Sequence, residues 1–287
     1  MKKIGIFLTI FVLSFLLISC DFTFFPLFDF TTESTENYYT KVNGTITFDN
    51  DDYFEYSTYN SPTNDLTDVE EYQEVLLSTQ EHIRRANIFV NMVIYTQTLP
   101  WNNSNEREVV SGGSGFVFMQ DEDFFYAITN YHVIETDYND AIVEIMAFND
   151  EEFQEAEIIA YSSEYDLAVL KFAINNRTDI EIIDIYERLY YKFNPGELVF
   201  AVGNPSSLVN TVSFGEFIEL NSLESVSFYV IRHDAAISSG SSGGALVDVD
   251  GNFLGVNTWG IESTEIMSFA IPNYVVYTFL VNEGILD

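Results

Sequence analysis

From residue 86 onward the chain is cut into short apolar runs by Gly, Asn, Asp and Pro, and that spacing constrains the fold more than any other feature. Ile88 to Tyr95, Gly115 to Met119, Phe125 to Thr129, Ile142 to Phe148 and Leu167 to Phe172 are followed by Leu198 to Val202, Thr211 to Ile218, Val226 to Ile231, Phe253 to Trp259 and Met267 to Ile271. No helical period separates them. About a dozen strands this closely spaced predict an all-β domain of antiparallel barrels or sandwiches. Asp250-Gly251 between two runs is a hairpin signal. Two helices frame the strands. Thr67 and Glu70 have capping-box spacing ahead of Val69, Tyr72, Leu76 and Ile83, which predicts a helix over 67–85. Pro272, the apolar stretch Tyr274 to Val281 and Gly284 predict a closing helix.

Composition narrows the functional classes. With 47% hydrophobic residues, 26 Phe and 18 Tyr, the chain is too apolar for an acidic disordered protein. Lys plus Arg number 11 against 45 Asp plus Glu, a net charge of −34. Such a surface repels phosphate backbones, so nucleic acid is not an expected partner. The single cysteine permits neither an intramolecular disulfide nor a thiolate metal cluster. No second His or Cys stands at metal-ligand spacing beside His82 or His233, so no metal is expected, and no cofactor motif is present. His82 reads as a surface residue of the first helix and His233 as a structural residue bordering the site.

The position of that cysteine is informative. Lys2 and Lys3 precede an apolar run, Ile4 to Ile18, which has the plan of a secretory signal and is short for a membrane span. It ends in Leu17-Ile18-Ser19-Cys20, which resembles the bacterial lipobox, in which the chain is cut before a lipid-modified cysteine. The resemblance implies a signal peptide over 1–19, a lipid anchor on Cys20 and an extracytoplasmic location at the cell membrane. Acyl chains contribute about 0.8 kcal/mol per buried methylene, and two or more give a stable anchor. Residues 20–66 are acidic and polar without sustained periodicity and read as a tether. Asp49, Asp51 and Asp52 do not make a calcium loop, because Phe54 stands where glycine is required.

Gly240-Ser241-Ser242-Gly243-Gly244 lies between two strand-like runs. A serine hydroxyl is a weak nucleophile that needs a base within hydrogen-bond reach, and the developing oxyanion needs fixed backbone donors. The same run fits the GxSxG elbow of α/β-hydrolases. That fold requires a following helix and a later histidine, and after Ser242 strands follow and no histidine occurs.

Other segments agree with the serine motif. GSGFVF precedes the histidine of TNYHV, and YDLAVLKF, AVGNPSSLVNTVSFG, DAAISSGSSGGALVD, LGVNTWG and FAIPN follow in order over roughly residues 85 to 275. On these motifs the chain resembles the trypsin-fold serine proteases, nearest to their HtrA/Deg branch. The resemblance implies a domain over 86–287 with two antiparallel six-stranded β-barrels, about 86–176 and about 190–275. It implies His132 as general base, Asp166 as its orienting carboxylate and Ser242 as nucleophile. The amides of Gly240 and Ser242 would form the oxyanion hole.

Trypsin-fold enzymes hold extended peptides by strand addition, and Thr258-Trp259-Gly260 resembles their substrate-binding strand. By the resemblance, the first pocket is walled by Ala236, by Thr258, Trp259 and Gly260, and by Phe269. None offers a charge, which points to cleavage after small or medium aliphatic residues. Unfolded or damaged polypeptides are the substrate class the branch suggests. The alternative is an inactive surface lipoprotein that uses the fold to bind peptides. The chain stops soon after FAIP, so no PDZ domain is expected, and nothing in 20–66 indicates an oligomer.

Replacing Cys20 by Ala is expected to move the protein from the membrane to the soluble fraction. Unchanged partition on fractionation would remove the anchor.

Overall fold

The computed structural model describes residue 53 and residues 56–99, 102–205, 208–262 and 266–286. The proposed signal segment, Cys20 and most of the tether lie outside the described residues. Among those described, no helix is long and apolar enough to cross a membrane.

The chain enters through a short strand β1 (Ser57–Thr58) and a 3-10 turn (Pro62–Asp65), then helix α1 (Val69–Ala86). The helix begins one residue later than the capping-box spacing suggests. Asp68 is the cap, its carboxylate accepting from the amides of Glu70 at 2.8 Å and Glu71 at 3.2 Å. A carboxylate there also meets the positive end of the helix dipole, while Arg84 and Arg85 sit at the negative end.

Two closed barrels follow, as the strand spacing and the resemblance predict. The first contains β2 (Asn87–Leu99), β3 (Asn102–Gln120), β4 (Phe124–Thr129), β5 (Ile142–Met146), β6 (Gln154–Ser162) and β7 (Leu167–Ala173), ordered β2-β3-β4-β7-β6-β5. Between β4 and β5 lies a single helical turn, α2 (Tyr131–Ile134). After β8 (Tyr191–Lys192), the second barrel contains β9 (Leu198–Gly203), β10 (Thr211–Ser222), β11 (Tyr229–His233), β12 (Ala245–Asp248), β13 (Phe253–Glu262) and β14 (Ile266–Pro272), ordered β10-β11-β14-β13-β12-β9. Helix α3 (Asn273–Asn282) closes the chain.

The continuous apolar runs of the sequence are explained by burial on both strand faces. In β7, Ala168, Leu170 and Phe172 fill the first barrel, while Leu167 and Val169 belong to the cluster that runs on into the second. In β3, Val117 packs within the first barrel, and Phe116 and Phe118 belong to the cluster that runs on into the second. Phe116 meets Phe253 of β13 with ring centroids 5.1 Å apart. Truncating either buried ring would cost about 3 to 5 kcal/mol, and the loss would fall on the contact between barrels.

The segment before α1 is docked on the second barrel. β1 pairs in parallel with β8, the Tyr53 hydroxyl accepts from the Phe193 amide at 2.7 Å, and Thr63 donates to Asp250. Beneath it Arg188 is fully buried, bonded to Asp248 at 2.6 Å and Glu197 at 3.2 Å, with the Tyr59 ring over its guanidinium at 4.2 Å. Burial pushes both carboxylates up, and the Arg188 charge pulls against that shift.

His233 at the end of β11 is completely buried, which bears out its reading as a structural residue. His82 is more enclosed than its surface reading implied, one third exposed with Nδ1 3.9 Å from Glu181. Burial holds the His233 imidazole down at about 4, against weak opposition from Asp234 and the Asn257 side chain beside it. The unfolded chain therefore binds a proton between about pH 6.5 and 4 that the folded chain refuses. Stability is expected to fall as pH drops through that window, by about 3 kcal/mol from this group. Urea unfolding at pH 7 and pH 4.5 checks this, and His233→Phe should lose less over the same interval. Equal losses in both proteins would refute the account.

Candidate active site

The first barrel contributes a histidine and an aspartate. His132 sits on the one-turn helix α2, anchored by its buried neighbours Val133 and Ile134. Asp166 ends the β6–β7 turn with φ +52°, a left-handed backbone uncommon outside glycine. Its carbonyl accepts from the Asn130 side chain at 2.8 Å, which holds the turn against the α2 entry. The Asp166 carboxylate accepts from the His132 backbone amide at 3.0 Å and faces His132 Nδ1 at 2.9 and 3.0 Å. A nitrogen between two carboxylate oxygens must carry the proton, which leaves the lone pair on Nε2.

The second barrel reaches the same place through a β-bulge. In the β13–β14 ladder Asn257 pairs with Ala270 and Trp259 with Phe269, so Thr258 is the extra residue. A bulge re-aims a side chain. The Thr258 hydroxyl donates to Asp166 Oδ2 at 2.9 Å, and the Thr258 carbonyl accepts from the Ser242 hydroxyl at 2.9 Å. His132, Asp166, Thr258 and Ser242 thus form one bonded cluster across the barrel junction. The expected direct bond between His132 and Ser242 is not made, because the hydroxyl is turned to Thr258.

The loop before Ser242 is a tight turn. The Ser241 amide donates to the Ser238 carbonyl at 2.9 Å, and Gly240 has φ +95°. A positive φ at the third position defines a type II turn and requires glycine there. Gly243, at φ +89°, is enclosed so tightly that an added Cβ would lie 2.1 Å from the Ser114 carbonyl. Among the described residues, the amides of Gly240 and Ser242 have no hydrogen-bond partner, so both donors are available to an incoming oxygen.

Two residues that sequence reasoning passed over hold this turn. Ser114 lies in the GSGFVF stretch on β3 and is completely buried. Its amide donates to the Ser242 carbonyl at 2.8 Å and its hydroxyl to the Gly240 carbonyl at 2.6 Å. Asn204, after β9, donates to the Ser114 hydroxyl from its backbone at 2.8 Å. The signal available was a serine among glycines, which reads equally well as a flexible loop.

The remaining sequence candidates are spread out. Ala236 is exposed on the loop after β11, and its carbonyl accepts from Ser213 at 2.7 Å. Trp259 and Gly260 continue β13 beyond the bulge, opposite Phe269 and Ser268. Phe269 is 2% exposed within the second barrel's core. A cavity of about 250 Å³ lined by Tyr59, Arg188, Asn194, Glu197 and Asp248 lies at the far end of β12 from Ser242 and contains none of these residues.

Paired closed barrels with an aspartate-bound histidine on one and a serine in a glycine turn on the other define the trypsin-like class of peptidase. This chain belongs to that family: the trypsin-like peptidase domain model matches residues 113–256. It is 36% identical over 200 residues to the serine endoprotease DegS of Escherichia coli (strain K12), covering 66% of this chain and 52% of DegS. It is 32% identical over 182 residues to serine protease HTRA1 of Xenopus tropicalis, covering 61% of this chain and 37% of that protein. The chain therefore spans about half or less of these relatives. A solved serine endoprotease from Yersinia pestis superposes with a TM-score of 0.53 at 29% identity, covering 71% of this chain and 66% of that one.

Proposed function

We propose that this chain is a serine endopeptidase in which Ser242 attacks the peptide carbonyl, His132 takes and returns the proton, and Asp166 orients the imidazole. The observation that carries the reading is the bonded cluster: Asp166 fixes His132 by two contacts, and Thr258 links that carboxylate to the Ser242 hydroxyl. With the Nδ1 proton held by Asp166, Nε2 is the free base. In this mechanism the Ser242 hydroxyl must leave the Thr258 carbonyl for Nε2, and exposed side-chain rotamers interconvert rapidly. The alcohol then adds to the carbonyl, and the oxyanion takes the open amides of Gly240 and Ser242. Each such donor contributes about 3 to 4 kcal/mol to lowering the barrier. The imidazolium returns the proton to the leaving amine, and water repeats the sequence on the acyl-enzyme.

The substrate lies along the Thr258-Trp259-Gly260 strand, with Ala236 and Phe269 bounding the first pocket. Cleavage follows small or medium aliphatic residues of unfolded or damaged proteins. The enzyme is anchored outside the cytoplasm by lipid on Cys20. The substrate reading rests on the family branch and on the lack of charge among the pocket residues.

A second reading, a peptide-binding module without turnover, is favoured by one observation, the Ser242 hydroxyl bonded away from His132. Labelling separates the two. Wild type should react with a fluorophosphonate and hydrolyse a peptide with an aliphatic residue before the scissile bond. Ser242→Ala should do neither at unchanged thermal stability. Absence of labelling in folded wild type, or equal labelling in both, would sink the peptidase.

A further inference from the structure

No Lys or Arg occurs between Arg107 and Lys171, a stretch that contains both His132 and Asp166. Glu135, Asp137 and Glu164 stand close to those two residues in the chain and are exposed. The cations at the borders of the stretch are already taken. Arg107 bonds Glu144 at 2.7 Å and lies over the Phe153 ring, and Lys171 lies over Phe124 with Glu157 3.9 Å away. The first barrel's side of the site therefore carries negative charge that the chain itself does not offset.

An aromatic platform stands on the same side. Tyr131, the residue before His132 on α2, is stacked on Tyr161 of β6 at 19° with ring centroids 5.3 Å apart. Tyr131 packs against the first barrel's core, while Tyr161 is 57% exposed. Tyr161 pairs with Ala168 across the turn that carries Asp166, so the platform is fixed to the two segments that hold the base and its carboxylate. The Glu135 carboxylate lies beside the Tyr131 hydroxyl: burial, then Glu135 and Tyr161, push that phenol above its ordinary value. Elsewhere the chain covers such rings itself, with Arg85, Arg107, Lys171 and Arg188 each 4.1 to 5.7 Å from an aromatic centroid. Among the described residues no cation stands over Tyr131 or Tyr161. The face of such a ring is negative and attracts a cation.

We propose that Tyr161, Tyr131 and Glu135 form a subsite for a Lys or Arg side chain of the polypeptide substrate, close to the bond that is cut. The proposal deepens the peptidase reading and rests on it. A peptide laid along Thr258-Trp259-Gly260 starts beside this platform, because Thr258 is bonded to Asp166. Alternate side chains of an extended peptide point to opposite sides, so one set faces the first barrel. A long cationic side chain lays its methylenes on the Tyr161 ring and its charge toward Glu135. The favoured substrates are then basic polypeptides with an aliphatic residue before the scissile bond, and the acidic rim speeds their approach.

The test uses otherwise neutral peptides with that aliphatic residue, in which one flanking position at a time carries lysine or norleucine. The readout is the ratio of kcat/KM for the lysine peptide to that for the norleucine peptide, in which a general effect on activity or folding cancels. In wild type the ratio should reach about 5 to 10 at one position, chiefly through a lower KM. It should fall to near unity in Tyr161→Ala, fall by about half or more in Glu135→Gln, and persist in Tyr161→Phe, which keeps the ring. A ratio near unity at every position in wild type would overturn the subsite. So would a ratio unchanged in Tyr161→Ala, which would assign the preference to the overall acidity of the protein. If Tyr161→Ala does not fold, Glu135→Gln decides alone, an unchanged ratio again overturning the proposal. Wild type left unlabelled by a fluorophosphonate would instead defeat the peptidase reading.

Discussion

The contact between the two barrels sets the geometry of everything described here, because each barrel alone carries only part of the site. His132 and Asp166 belong to the first, Ser242 and Thr258 to the second, and the junction brings them within hydrogen-bond distance. The junction is apolar in its bulk, with Phe116 against Phe253, and polar at one end, where Ser114 and Asn204 bond across it. The apolar part supplies the stability. The polar part supplies register, since a buried donor left without its acceptor costs about 1 to 3 kcal/mol and so penalises any slippage.

Charge is distributed in keeping with this arrangement. The protein is strongly acidic, yet one of its scarce cations is used inside. Arg188 is wholly buried between Asp248 and Glu197, and the segment before α1 covers it through Tyr59. A buried ion pair of this kind adds little against an apolar replacement, but losing one partner strands a charge at about 3 to 5 kcal/mol. Its structural effect is to fasten the entering segment to the far end of β12, the strand that leads away from the glycine turn.

Much of the site was legible in the sequence because its residues stand in short motifs, and motif order survives where overall similarity is modest. His132, Asp166 and Ser242 are found where those motifs place them, in one cluster. The Asp250-Gly251 hairpin and the closing helix are likewise found at their expected positions. β6 was passed over for a physical reason: Glu155 and Glu157 face solvent on its outer side, and the alternating charge hides the buried Ala156 and Ala160. Asp68 outcompeted Thr67 as helix cap, a difference of one residue that spacing rules do not resolve. The docking of residues 56–66 was not legible, since its partners Tyr191, Arg188 and Asp250 lie more than a hundred residues away in sequence.

The amino-acid sequence by itself determined the all-β class and most of its strands, the helices before and after the barrels, and the candidate histidine, aspartate and serine, because these follow from local periodicity and short-range motifs. Only the tertiary structure decided that Thr258 sits on a bulge joining Asp166 to Ser242, and that Ser114 grips the Gly240 carbonyl. Both depend on where two separately closed sheets meet, which is a long-range property of packing that no local pattern encodes.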